Sequence, residues 1–215
     1  MKLRTLSLLA GVAVLGSAQA SPVVLYDNLT PNGYSGTTGW TINQISTIGQ
    51  MFTPSVGATL TQLQLALSSF EPIVGSTKTP LYDVQLVDSV PSNSMVTGIP
   101  FEPGTTVLHS WSAVPGQGLN VLSFSSPVSV SAGTNYWVVV KSTPNSNVSG
   151  LWHFNANGLF ATQATQFGST WFGDDENLGG GMKVIGETGV PVPEPATVAL
   201  AGLALGLAAR RRRNR

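Results

Sequence analysis

Asn135-Tyr136-Trp137-Val138-Val139-Val140-Lys141-Ser142 holds five successive aromatic or β-branched residues, Tyr136 to Val140. Such side chains favour a pleated strand. Side chains along a strand alternate between its faces, so a run that is apolar at every position is apolar on both sides. This stretch reads as a central strand covered from above and below. Ser131-Ala132-Gly133-Thr134 sets a turn before it.

Outward from this strand the pattern becomes alternating. In Leu60–Leu67, Leu63, Leu65 and Leu67 alternate with Gln62, Gln64 and Ala66. In Leu81–Asp88, Tyr82, Val84 and Leu86 alternate with Asp83, Gln85 and Val87. In Thr106–Ala113, Val107, His109, Trp111 and Ala113 share one face. Shorter strands are expected over Val23–Leu29, Gln50–Thr53, Leu119–Phe124, Leu151–Phe154, Ser169–Phe172 and Met182–Ile185. Turn clusters such as Phe101-Glu102-Pro103-Gly104 and Val114-Pro115-Gly116 separate them, and Val90–Pro100 reads as a long surface loop. No helical period precedes residue 195, and no fixed repeat indicates a propeller or solenoid. The expected fold class is all-β: an antiparallel β-sandwich, jelly-roll-like, with a short C-terminal apolar helix.

The ends carry different patterns. Lys2 and Arg4, the apolar Leu6–Leu15 and Ala18-Gln19-Ala20 form the three parts of a secretion signal over residues 1–20, with cleavage before Ser21. Its apolar run is shorter than the ~20 residues that a membrane span needs. At the other end, Val190-Pro191-Val192-Pro193-Glu194-Pro195 is a stiff linker, since each proline fixes its own φ and disfavours helix just before it. Ala196–Ala209 follows, uncharged and apolar apart from Thr197 and its glycines. As a helix it would be roughly 21 Å long, short of a ~30 Å hydrocarbon core. Arg210, Arg211, Arg212 and Arg213 then supply a positive stop at the membrane. The domains read as 1–20 signal peptide, 21–189 β-sandwich and 190–215 tail.

The zero net charge of the chain conceals an acidic domain. Ser21 to Glu194 holds three lysines, Lys78, Lys141 and Lys183, against all ten carboxylates, a net charge of −7. That composition excludes a phosphate-backbone footprint, and nucleic acid is not an expected partner. Cysteine is absent, so there is no disulfide framework and no thiol chemistry.

Pro193-Glu194-Pro195-Ala196-Thr197, followed by an apolar run and a basic end, resembles the PEP-CTERM sorting signal of Gram-negative bacteria. The resemblance implies Sec export, signal peptidase cleavage, processing by an exosortase-like membrane enzyme, and association with exopolysaccharide and biofilm matrix. Tyr26-Asp27-Asn28, Gly49-Gln50-Met51-Phe52-Thr53, Gly133-Thr134-Asn135-Tyr136-Trp137 and Trp171 resemble the choice-of-anchor exported domains, type R. That type implies no chemistry.

Candidate sites within the domain are few. His109 and His153 sit among apolar residues and read as packed histidines rather than zinc ligands, since no HExxH spacing exists. Asp174, Asp175 and Glu176, with Asn177, are the densest oxygen cluster and the only calcium candidate; a solvated acidic turn is the preferred reading, and no cofactor is expected. Trp111 and Trp137 are assigned to the core, while Trp40 and Trp171 are candidate sugar contacts. There is no Gly-x-Ser-x-Gly elbow, and no carboxylate pair can be assigned across a cleft. The leading expectation is a noncatalytic surface or matrix protein. A carbohydrate-binding module comes next, and a secreted hydrolase third. An exposed aromatic platform lined by amides would favour binding.

Overall fold

The computed structural model describes residues 20–69, 81–90, 102–143 and 149–189, and of residues 174–176 the backbone alone. Ser21–Gly189 forms a compact unit. The strands are β1 (Ser21–Asp27), β2 (Tyr34–Ile42), β3 (Ser46–Phe52), β4 (Ala58–Ser69), β5 (Leu81–Ser89), β6 (Pro103–Pro115) and β7 (Gln117–Ser123). They continue with β8 (Ser129–Val130), β9 (Tyr136–Ser142), β10 (Gly150–Asn155), β11 (Phe160–Phe167), β12 (Thr170–Leu178) and β13 (Met182–Thr188). No helix occurs among the described residues. The expected C-terminal helix, the 90–100 loop beyond Val90, the signal peptide before Ala20 and the tail lie outside them.

The strands make two antiparallel sheets. The first has the order β1-β13-β4-β10-β2, with β7 and β8 also paired to β4. The second has the order β12-β11-β3-β9-β5-β6. Their facing sides share one apolar core, to which β4 gives Leu63, Leu65 and Leu67, β5 gives Tyr82 and Val84, and β9 gives Val138 and Val140. Each fully buried aliphatic side chain contributes roughly 1.5–3 kcal/mol. β9 is covered on both faces, as its composition requires. Trp137 and Val139 point away from the shared core into a second cluster with Val87 and Ala164.

Strand periodicity slips where the ladders bulge. In β6 the pairing jumps from Leu86↔His109 to Val87↔Val107, so Leu108 is an extra residue. A β-bulge leaves one residue unpaired and turns the following side chains over. Val107, expected beside His109, is instead 49% exposed, and Leu108 packs on the core. A second slip, between Tyr82↔Val114 and Val84↔Trp111, places Ala113 at a left-handed φ of 58°. Trp111 is partly buried, its indole N–H donating to the Ser123 carbonyl at 2.8 Å.

The alternation reading does not find β2, β8 and β11. β2 begins Tyr-Ser-Gly-Thr-Thr-Gly, with little apolar content. It holds its place by pairing with β10, at so close an approach that a Cβ on Gly39 would lie 2.2 Å from the Trp152 carbonyl oxygen.

Candidate functional site

Four strands converge at one flank of the domain to line a cleft of about 660 Å³: β2, β3, β11 and β12, with Phe154 from β10. Trp40 enters from β2. Its ring meets Phe154 edge-on at 5.5 Å, and its indole N–H donates to the Leu178 carbonyl at 3.0 Å. Both contacts fix the ring. Opposite, Phe167 and Phe172 come from neighbouring strands, with ring centroids 6.1 Å apart. They are 52% and 58% exposed, an unusual display for two phenylalanines on adjacent strands. Asn43, Gln163 and Asn177 add amides, and no described lining residue is charged.

Two lining residues, Trp40 and Gln163, connect to a buried polar network around the chain's glycine run, Gly179-Gly180-Gly181. Four successive carbonyls accept side-chain hydrogens here. Leu178 accepts from Trp40, and Gly179 from the Asn155 amide at 2.8 Å. Gly180 accepts from Asn28 at 2.9 Å and Gln50 at 3.2 Å, and Gly181 from the Trp152 indole at 3.1 Å. A Cβ on Gly180 would lie 2.5 Å from the Trp152 indole nitrogen, so glycine is what admits the ring.

This ladder sets the orientation of the amides. A carbonyl only accepts, so the Gln50 NH₂ must face Gly180, and the Gln50 oxygen must face away. That oxygen accepts from Gln163 Nε2 at 3.0 Å. Gln163 Oε1 is therefore turned to the other side, where it has no partner. Gln163 is 3% exposed and lines the cleft. Leaving a buried acceptor unpaired costs about 1–3 kcal/mol.

Tyr26 closes the network, accepting from Asn28 and Gln50, each at 3.3 Å. Burial pushes its hydroxyl up to about 12, although those two hydrogen bonds work in the opposite direction. Tyr26 is a neutral hydroxyl at any physiological pH. Beside it, burial would raise the Asp27 carboxyl, but Lys183 at 2.8 Å, together with Thr30 and the backbone at Leu29, holds it below its ordinary value.

The sequence-derived candidates separate in space. Trp40 lines the cleft. Trp171 packs instead with the outer cluster: a Cβ on Gly49, between the two rings, would lie 3.2 Å from Trp137 and 3.6 Å from Trp171. The neighbouring Phe172 is the residue that faces the cleft. Consecutive strand residues point to opposite faces, so Trp171-Phe172 carried that signal. Asp174, Asp175 and Glu176 lie in strand β12, not in the expected turn, and a bulge falls there between Ala161↔Asn177 and Gln163↔Asp174. Their side chains are outside the described part. Among the described residues no three His, Asp or Glu side chains group to hold a metal. His109 stacks with Trp111 and Phe124, and His153 with Tyr34 at 5.3 Å; burial lowers the pKa of both.

The sorting residues lie beyond the domain. Residues 191–213 match the PEP-CTERM protein-sorting motif. The matched stretch contains Pro193, Glu194, Pro195, the apolar run and Arg210 to Arg213. The PEP-CTERM motif marks the chain as an exported protein, processed by an exosortase-like membrane enzyme and bound for the cell surface. No curated protein and no solved structure matches the chain.

Proposed function

We propose that this is a noncatalytic surface protein of the extracellular matrix, sorted by its tail and associated with exopolysaccharide in biofilm. The carrying observation is the adjacency of a compact β unit ending at Gly189 and a PEP-CTERM motif beginning at Pro191. In this reading the two sheets form a jelly-roll-like sandwich of the choice-of-anchor R kind, and no cofactor is required. The Sec machinery and signal peptidase act first, cutting after Ala20. The tail then holds the chain briefly at the inner membrane. Its short apolar run and its glycines, Gly202 and Gly206, suit a transient span. The exosortase-like enzyme reads Pro193-Glu194-Pro195, and the domain leaves for the matrix.

Expressing the full chain in its host with Pro193→Ala, Glu194→Ala and Pro195→Ala together tests this. Wild-type protein is expected in the surface and matrix fractions with Ser21 at its N-terminus. The triple variant is expected uncut in the inner membrane. Equal maturation of the two would overturn the sorting role of these residues. A wild-type protein that matures but never enters the matrix fraction would overturn the matrix reading.

A further inference from the structure

We propose that the aromatic cleft, whose described lining carries no charge, binds a neutral sugar chain, Phe167 and Phe172 packing on sugar faces while Gln163 Oε1 accepts a hydroxyl hydrogen. The matrix reading supplies only the source of the sugar; the cleft's chemistry supplies the class.

Three observations converge. The first is the oriented acceptor. The hydrogen bonds from Gly180 through Gln50 leave Gln163 with its donor used and its oxygen unpaired. A ligand that reaches this buried oxygen from the cleft must bring a donor to it. A purely apolar ligand would leave the acceptor unpaired and would be rejected for that reason. The second is the platform. A pyranose ring presents C–H faces ringed by hydroxyls, and flat aromatic rings with amides beside them match both parts. Phe167 and Phe172 are more than half exposed, and Trp40 forms a wall whose ring is already fixed by Leu178 and Phe154. The volume of about 660 Å³ lies within the usual 300–1,000 Å³ range of small-molecule sites. The third is charge. Anionic ligands are held by Arg or Lys, and the described lining has neither. The net charge of −7 over Ser21 to Glu194 further repels uronate, sulfate and phosphate groups. Neutral glycans remain.

The probes are cellohexaose, xylohexaose, mannohexaose and the neutral and acidic fractions of the host's own exopolysaccharide. The full-length chain is held in a zwitterionic detergent without a sugar head group. Binding is read by calorimetry and by tryptophan fluorescence, to which Trp40 should contribute. At least one neutral probe is expected to bind. Phe172→Ala, a change at an exposed ring, should weaken it about two- to twelvefold, given the ~0.5–1.5 kcal/mol of a ring contact. Gln163→Leu should weaken it by about tenfold or more while the thermal midpoint shows a folded protein. Failure of every neutral probe overturns the proposal. So does binding only by the acidic fraction, or only by an uncharged Gly-Ser peptide run as a control. Affinity unchanged in both variants overturns the placement in this cleft. A protein that enters the matrix but binds no sugar defeats this proposal alone. One that binds sugar but stays out of the matrix defeats only the matrix reading.

Discussion

Two parts of the interior are filled in opposite ways. Where β4 and β9 contribute to the shared core, the filling is hydrocarbon: Leu63, Leu65, Leu67, Val138 and Val140. Where residues 178–181 pass, it is amide and indole, with Asn28, Gln50, Asn155 and Trp152 each donating to a backbone carbonyl. Hydrocarbon packing is non-directional and accepts swaps of equal volume. A buried polar network is directional, and each member depends on the others being present. The first part supplies stability. The second supplies position, and the cleft is built on the second.

The comparison can be broken at either end. Leu65→Ala should lower unfolding free energy by about 2–5 kcal/mol, measured by urea denaturation, while Leu65→Met should lose less than about 1.5. Asn28→Leu, similar in volume, should cost about 1–3 kcal/mol, because the buried Met182 N–H loses its acceptor at 2.7 Å. If Asn28→Leu is as mild as Leu65→Met, the two parts do not differ in kind.

Acidification should act more gently and on other residues. Burial depresses His153 and His109 below the ordinary histidine value of 6.5. For His153 the Thr38 backbone opposes this only in part, and Nδ1 is buried without a partner. The unfolded chain then binds more protons just below 6.5, so stability is fully present above that value and declines as pH falls through it. Melting temperature measured between pH 7.5 and 5 should fall, and His153→Gln should flatten the slope. An unchanged slope in that variant would exclude His153 as its source.

The smallest expected effect is at Ala113. A left-handed residue with a Cβ is strained by ~1–2 kcal/mol, and glycine gives back about 0.4–1 through the freer unfolded chain. Ala113→Gly should therefore stabilise by at most ~1.6 kcal/mol in the same urea titration.

The central strands were legible because their side chains carry their own reason to be buried: Tyr136–Val140 and Leu63–Leu67 announce two covered faces and one. β2 and β11 were not legible, since Ser, Thr, Gly and Gln owe their strand conformation to the partners they pair with. Val107 was misplaced because a bulge at Leu108 cannot be seen in an alternating pattern. Trp40 was found as a loose aromatic among small residues. Gln163 was not, because what makes it notable is an amide 113 residues away that fixes its direction.

The position of β13 has a consequence for the order of synthesis. It is the last strand of the domain, yet it lies between β1, the first, and β4. A chain made and threaded N-terminus first carries an open slot in that sheet until residues 182–188 emerge. The donors of Asn28, Gln50 and Trp152 also wait for carbonyls at 180 and 181. Folding in such a topology must close long loops before its contacts reward it. The sorting motif starts at Pro191, three residues past the end of β13 at Thr188. The last strand and the start of the address therefore emerge together, and a chain whose translation stops short of residue 182 has neither a finished sheet nor a destination.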